Sequence, residues 1–353
     1  MSEELLAGKR ICVVLLSGIG DVVHGLPVVN ALKRDDPERD ITWVVQTEPA
    51  PLLQPHPSID RVMTFDRKKG LADIRRLWRE LRPRELDLVI NFNIYFKSII
   101  PTFTARAADK VSFGRDRARD LVWMFANHRL PARPTRHVQD RFLEFLDYLA
   151  VPIEPIEWKI SITDEERDWQ REFFARFEDR RVVGIVATTA RTEKDWRIEH
   201  FADLATALQR DFGLKVILLG GPSLREQARA HAMAERVEAD VEWALGPDLR
   251  RLTYLVDGCD LLIAGDTGPL HIARALETPV IGLFGHTNPQ LAGPYCAYDD
   301  LVIDRFNWDA PGLPADFNKP GGRARRMELI SVADVLEKVH LAVERLPVDR
   351  RHS

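Results

Sequence analysis

Residues 11–27 read ICVVLLSGIGDVVHGLP, and the order of residue types in this stretch decides the fold. Ile11–Leu16 is an apolar run without polar alternation, the pattern of a strand covered on both faces of a parallel sheet. It runs directly into Ser17-Gly18-Ile19-Gly20-Asp21 and then into residues that suit a helix. Strand, glycine-bearing turn and helix in immediate succession open a βαβ unit. The cadence repeats along the chain. Ile41–Val45, Val62–Phe65 and Leu86–Phe92 read as strands, with a helix at Leu71–Leu81. In the second half, Val182–Ala187, Lys215–Leu219, Leu261–Ala264 and Val280–Phe284 read as strands. Helices at His200–Asp211, Leu224–Val237 and Thr267–Leu276 separate them. The fold class is α/β, with doubly wound parallel sheets.

A chain of 353 residues exceeds one comfortable core and suits two domains. The alternation restarts near Val182, after a proline-bearing stretch, Val151–Glu157, with the composition of a linker, and a helix at Thr163–Phe177. The expected division is residues 1–160 and residues 161–353, each a Rossmann-like domain, with the last helix, Ser331–Leu346, fitting either. Ligands of such sheets bind at the carboxyl ends of the strands, so the loops that follow strands matter most.

Hydrophobic residues at 45% and charged residues at 29% describe an ordinary globular protein. A net charge of −4 gives no electrostatic case for nucleic-acid binding. Basic residues nevertheless cluster between Arg67 and Arg84, which suits an anionic ligand or membrane surface and equally a solvated helix face. Three cysteines without a CxxC pair indicate neither a disulfide framework nor a zinc site, and Cys12 and Cys259 lie in or beside apolar runs as buried thiols. Met1–Arg10 is polar and the apolar run after it is too short to span a bilayer. The expected location is cytoplasmic, with peripheral contact at the inner membrane as one use of the basic cluster.

Three loops carry chemistry. In the first, Gly18 and Gly20 permit a tight turn and close backbone approach to a ligand, but Val23 stands where a dinucleotide fingerprint needs its third glycine. Asp21 at the strand-to-helix junction can take a proton from a hydroxyl or simply cap the helix, and His24 lies one turn on. The second loop, Thr188-Thr189 through Lys194 and Trp196, offers hydroxyls and an ammonium to phosphate oxygens. Glu226, past Gly220-Gly221-Pro222, is an acidic acceptor for ribose hydroxyls. In the third loop Thr267 and Gly268 open a helix whose N–H groups favour a diphosphate, with His271 one turn in and Asp266 suited to sugar hydroxyls.

Taken in order, SGIGDVVHGLP at 17–27, TTARTEKDW at 188–196 and DTGPLH at 266–271 resemble the heptosyltransferases of lipopolysaccharide core assembly, glycosyltransferase family 9. GHTNP at 285–289 is similar to that family's GPTDP, FNIYFKS at 92–98 to its QGLxKS segment, and HVQDR at 137–141 to a basic H-x-x-x-R stretch. The resemblance implies a GT-B fold, two Rossmann-like domains facing a central cleft, with acceptor on the N-terminal and donor on the C-terminal one. It implies inverting, metal-independent transfer of heptose from ADP-heptose to a lipopolysaccharide core-type or related anionic glycan, with no cofactor. By that likeness Asp21 is the general base. Thr188, Thr189, Lys194, Thr267, Gly268 and His271 hold the diphosphate region, Asp266 the sugar and Glu226 the ribose. Gly18, Gly20, His24, Lys97, His137 and Arg141 belong to the acceptor side. Asn93-Ile94-Tyr95 replaces the family's QGL, and Gly246-Pro247 stands where members often place a methionine against adenine.

Other readings remain open at this level. A GT-B transferase or epimerase with another nucleotide-sugar shares the fold, and so does a non-catalytic nucleotide-sugar-binding protein. A nicotinamide-dependent oxidoreductase is disfavoured by Val23.

Overall fold

The structure is a computed structural model that describes residues 5–177, 180–238, 240–308 and 325–345. Its described residues form two compact units, one within Met1–Pro134 and Val138–Ser161, the other within Thr135–His137 and Ile162–Ser353.

The first unit is built on β1 (Arg10–Leu15), β2 (Asp40–Val45), β3 (Arg61–Thr64), β4 (Leu88–Asn91), β5 (Asp109–Phe113) and β6 (His128–Leu130). All neighbours pair in parallel, in the spatial order β3-β2-β1-β4-β5-β6. Helices α1 (Ile19–Asp35), α2 (Leu71–Leu81), α3 (Ile99–Thr104) and α4 (Val138–Leu149) accompany it. The long apolar strands are those buried on both faces, as their unalternating sequences require. Cys12, Val14, Leu16, Val44, Phe65, Leu77 and Leu81 share one side of this core. On α2 the buried residues Asp73, Leu77 and Leu81 recur every four positions, one stripe of a helix. α1 is buried from Val22 to Leu32, and α4 packs beside it. A Cβ on Gly25 would lie 2.9 Å from Trp43 Cη2, so glycine is what lets α1 approach β2.

The second unit repeats the plan. β7 (Val182–Val186), β8 (Lys215–Leu219), β9 (Val241–Trp243), β10 (Leu261–Gly265), β11 (Val280–Phe284) and β12 (Val302–Asp304) lie in the order β12-β11-β10-β7-β8-β9, all parallel. Counted from its own first strand this is the same 3-2-1-4-5-6 order as in the first unit, that of dinucleotide-type doubly wound sheets. Helices α5 (Asp164–Ala175), α6 (Ile198–Phe212), α7 (Leu224–Ala234), α8 (Leu249–Gly258), α9 (Gly268–Ala275), the short α10 (Pro289–Ala292) and α11 (Val332–Arg345) complete it. α11 packs against α6 and β11, within the second unit, and Val335, Val339 and Ala342 join its core. Leu346, the expected end of that helix, lies outside the described residues.

The stretch with linker composition is not a loose tether. Arg34 on α1 donates to the carbonyls of Pro152, Ile153, Glu154 and Pro155 at 3.0–3.2 Å and to the Glu157 carboxylate at 3.2 Å. Asn30 Nδ2 reaches Glu157 O at 2.6 Å and His56 Nε2 meets Trp158 O at 3.0 Å. Without regular structure the carbonyls of this segment have no ladder partners, and these side chains supply donors. Cys12 and Cys259 are buried and Cys296 is exposed. Burial pushes the Cys12 thiol up to about 12.

Candidate active site

In both sheets the strand order reverses at one place, between β1 and β4 and between β7 and β10. Loops leaving the carboxyl ends of strands at such a point splay apart and leave a crevice. Four of the motifs singled out in the sequence leave these four strands. SGIGD follows β1, FNIYFKS follows β4, TTARTEKDW follows β7 and DTGPLH follows β10.

In the first unit the β1 and β4 loops are tied together by asparagines. Leu16 N donates to Asn93 Oδ1 at 3.0 Å, and Asn93 Nδ2 donates to Val14 O at 2.9 Å. α1 begins with Gly18 as its N-cap, without a side-chain capping bond. Asp21 therefore sits inside the first turn, where a carboxylate is favoured by the helix dipole, and accepts a hydrogen bond from the Ser17 hydroxyl. Lys97 is half-buried near it. Its pKa is lowered by burial, against the attraction of Asp21, and Arg67 lowers it further. Arg141, on α4, lies 5.2 Å from the Phe113 ring centroid. Burial and then Arg117 lower the Arg141 pKa, while Asp21, Glu144 and Tyr95 oppose the shift. Arg117 is itself paired with the buried Glu144. His24 is buried, its Nδ1 is 3.1 Å from Gln139 Oε1, and Gln139 Nε2 donates to His24 O at 2.8 Å, so this pair fastens α4 to α1. A Cβ on Gly18 would meet nothing within 4 Å. His137 belongs to the second unit, where its Nε2 is 3.0 Å from Gly293 O and its ring 5.0 Å from Tyr295.

In the second unit the β7 and β10 loops close on each other. Thr188 and Thr189 are buried, and Thr189 donates to Asp195 Oδ1 from its backbone N at 2.8 Å and its hydroxyl at 2.9 Å. Arg225 on α7 pairs with Asp195 and donates to Thr189 O at 2.7 Å; Arg229, one turn on, donates to Ala187 O at 3.0 Å and Trp196 O at 2.7 Å. Lys194 Nζ donates to Asp266 Oδ2 at 2.5 Å, and His271 Nε2 is 3.6 Å from Asp266 Oδ1. Burial alone would raise the Asp266 pKa, but the His271 hydrogen bond and the Lys194 charge hold the carboxyl well below the usual carboxylate range. Thr267 is the N-cap of α9 with no side-chain capping bond, followed by Gly268 and Pro269 in the first turn. The Gly268 N–H lies at the positive end of the helix, while Leu270 N donates to Thr267 O at 3.1 Å. His286, after β11, is held toward its neutral form by burial and by nearby Lys194 and Arg191, against Glu193 and Asp266. Glu226 is occupied in its own turn. It completes a capping box with Ser223 and accepts from Gly221 N at 2.7 Å and the Ser223 hydroxyl at 2.6 Å. Gly246 N bonds Gly220 O at 3.1 Å, so the β9 loop lies along the β8 loop.

Motif reading passed over Asp195, Arg225, Arg229 and His286. The two arginines fall four apart on α7, which places them on one face, but only the tertiary structure shows that both serve the β7 loop. No group of three or more His, Cys, Asp or Glu able to hold a metal occurs among the described residues.

The sequence model of glycosyltransferase family 9 (heptosyltransferase) matches residues 74–311, more than half of the chain. The chain belongs to glycosyltransferase family 9. Lipopolysaccharide core heptosyltransferase OpsX of Haemophilus influenzae is 31% identical over 301 residues, covering 84% of each chain. Among solved structures, a family 9 glycosyltransferase of Veillonella parvula superposes with a TM-score of 0.81 at 25% identity, over 95% of this chain and 97% of that one. Escherichia coli heptosyltransferase WaaC with ADP gives a TM-score of 0.75 at 22% identity, over 94% and 99%. The family 9 chain is a glycosyltransferase with the GT-B fold, and four of its sequence motifs lie in the loops at the two switch points, while GHTNP follows β11 and HVQDR runs into α4.

Proposed function

We propose that this family 9 enzyme transfers heptose from ADP-heptose to a lipopolysaccharide core-type acceptor, with inversion and without a metal. The observation that carries the donor assignment is the β7–β10 crevice, where Lys194, His271 and the uncapped start of α9 converge around Asp266. The diphosphate lies against the α9 N–H groups, Thr188, Thr189 and Lys194, which stabilise the charge that grows on the leaving ADP. Asp266, an ionised carboxylate, cannot favour phosphate and accepts hydrogen bonds from sugar hydroxyls instead. WaaC of the same fold was solved with ADP, which supports adenine as the base. Glu226 reaches the ribose only by giving up bonds within its own capping box.

On the acceptor side, Lys97 and Arg141 supply positive charge for an anionic sugar, next to Asp21. Asp21 takes the proton of the acceptor hydroxyl as its oxygen attacks C1 of the heptose. The C1–O bond to ADP breaks on the opposite side through an oxocarbenium-like state, and ADP leaves with the electron pair. The family match begins at residue 74, so the role of Asp21 rests on its position and its surroundings. The enzyme works at the cytoplasmic face of the inner membrane, where a nucleotide-sugar donor is available. The test is incubation with ADP-heptose and heptose-free core acceptor, following ADP release and product mass together. Release of ADP with a product heavier by one heptose supports the reading. Transfer only from a UDP- or GDP-sugar retires the donor, and binding without turnover returns the chain to a binding protein.

A further inference from the structure

Among the described residues, the exposed large hydrophobics of the first unit all lie between Leu71 and Met124. Tyr95 and Phe96 belong to the loop after β4; the others, Leu71, Trp78, Phe103, Leu121 and Met124, come from α2, α3 and the short 3-10 turn Leu121–Phe125, elements that pack side by side. Phe103 is 59% exposed, Leu121 56% and Met124 58%. They form a connected surface. The Arg82 guanidinium lies 4.2 Å above the Trp78 ring, Trp78 is 6.4 Å from Phe103, and Phe103 is 6.4 Å from Phe125. Next to it Trp123 sits under Arg129 at 5.1 Å and Arg115 at 5.7 Å.

The charge on this surface is not balanced locally. Leu71, Arg75 and Trp78 on α2, with Arg82 at its C-cap, follow one another at helical spacing along one stripe, all exposed, away from the buried stripe of Leu77 and Leu81. The carboxylates of that helix, Asp73 and Glu80, are both taken by Arg76 at 2.7 and 3.0 Å. Arg75, Arg79 and Arg82 are left as a cationic fringe on an apolar patch, on a chain whose net charge is −4.

We propose that this face of the first unit, centred on Trp78, Phe103, Leu121 and Met124 and fringed by Arg75, Arg79 and Arg82, docks on an anionic phospholipid bilayer. Side chains with an apolar body and a polar or cationic tip suit the boundary between acyl chains and headgroups. Phosphate and carboxylate headgroups complement the arginines. A protein partner would need matching carboxylates, whereas a bilayer accepts a broad patch spread over three elements. The proposal does not depend on the donor chemistry above. No helix among the described residues is long and apolar enough to cross a membrane, so the contact would be a surface one.

The test is co-sedimentation of the full chain with vesicles of phosphatidylethanolamine and phosphatidylglycerol, against vesicles of phosphatidylcholine alone. The chain should partition onto the anionic vesicles, weakly onto the neutral ones, and come off as salt rises to about 0.5 M. R79A/R82A should lower the partition coefficient about fivefold per arginine. L121S/M124S should lower it at least about tenfold. The thermal melting profile and far-ultraviolet circular dichroism of each variant, unchanged from wild type, serve as the folding control for both. Should L121S/M124S melt early, R79A/R82A decides, since Arg79 is exposed and hydrogen-bonds only the Arg75 carbonyl. Wild-type partition by R79A/R82A, or equal binding to neutral vesicles, overturns the proposal. Failure to sediment with any vesicle overturns it too and points to a protein partner.

Discussion

Asp21 and Asp266 are both carboxylates just past a strand at a switch point, β1 and β10, yet their surroundings differ. Asp21 accepts from Ser17, with Lys97 and Arg141 among the charges around it. Asp266 is locked by Lys194 and His271 and stays ionised. Asp21→Asn is expected to bind ADP normally and turn over at least ~100-fold slower, the usual loss with a general base; wild-type turnover would remove Asp21 from the reaction. Asp266 also makes a stability prediction. Its folded pKa is depressed, so its contribution is present above the unfolded value of about 3.9 and is lost as pH falls below it. Denaturant midpoints of the wild type should drop between about pH 5 and pH 3 more steeply than those of Asp266→Asn. Equal slopes would mean that the Lys194 pairing adds nothing. At this scale the sequence showed which residue types were present but not their partners. The alternative of Asp21 as a helix cap is answered by Gly18, which holds that position. Glu226 looks from spacing like a ribose acceptor, but Ser223 three residues before it also makes a capping box, and that bond is the one formed.

At the scale of elements, the long apolar strands were legible to within a residue or two, because burial on both faces leaves an uninterrupted apolar run. The edge strands β6, β9 and β12 were not, since HRL, VEW and VID are three residues each and carry no period. α4 shows the helical spacing Phe142, Phe145, Leu146, Leu149 among its buried residues, but reading the HVQDR stretch for its charge hides it. α8 was missed as well, a ten-residue helix that begins just after Gly246-Pro247, the only part of this region the sequence reading used. The stretch Val151–Glu157 has the composition of a tether, and only the structure reveals the arginine that holds it. Arg34→Ala should therefore destabilise the first unit by about 1–3 kcal/mol, the cost of several charge-assisted bonds lost together, most of them to exposed carbonyls. Urea unfolding with a midpoint unchanged from wild type would show that the segment holds without it.

For the whole molecule, two copies of one strand order place four loops at two switch points, and the α/β class followed from the alternation alone. The family came from motifs in the right order, and the match over residues 74–311 bears it out. Because the proposed mechanism uses helix N–H groups and Lys194 to stabilise the leaving ADP, turnover should persist in excess EDTA. Loss of activity there, restored by Mg²⁺ or Mn²⁺, would contradict metal independence. The account stands or falls most directly on calorimetric titration of the intact chain with ADP, UDP and GDP, followed by ADP-heptose. It predicts that ADP binds more tightly than UDP or GDP and that ADP-heptose binds as well. Equal affinity for the three nucleotides, or a preference for UDP or GDP, would contradict the donor assignment while leaving the GT-B fold in place.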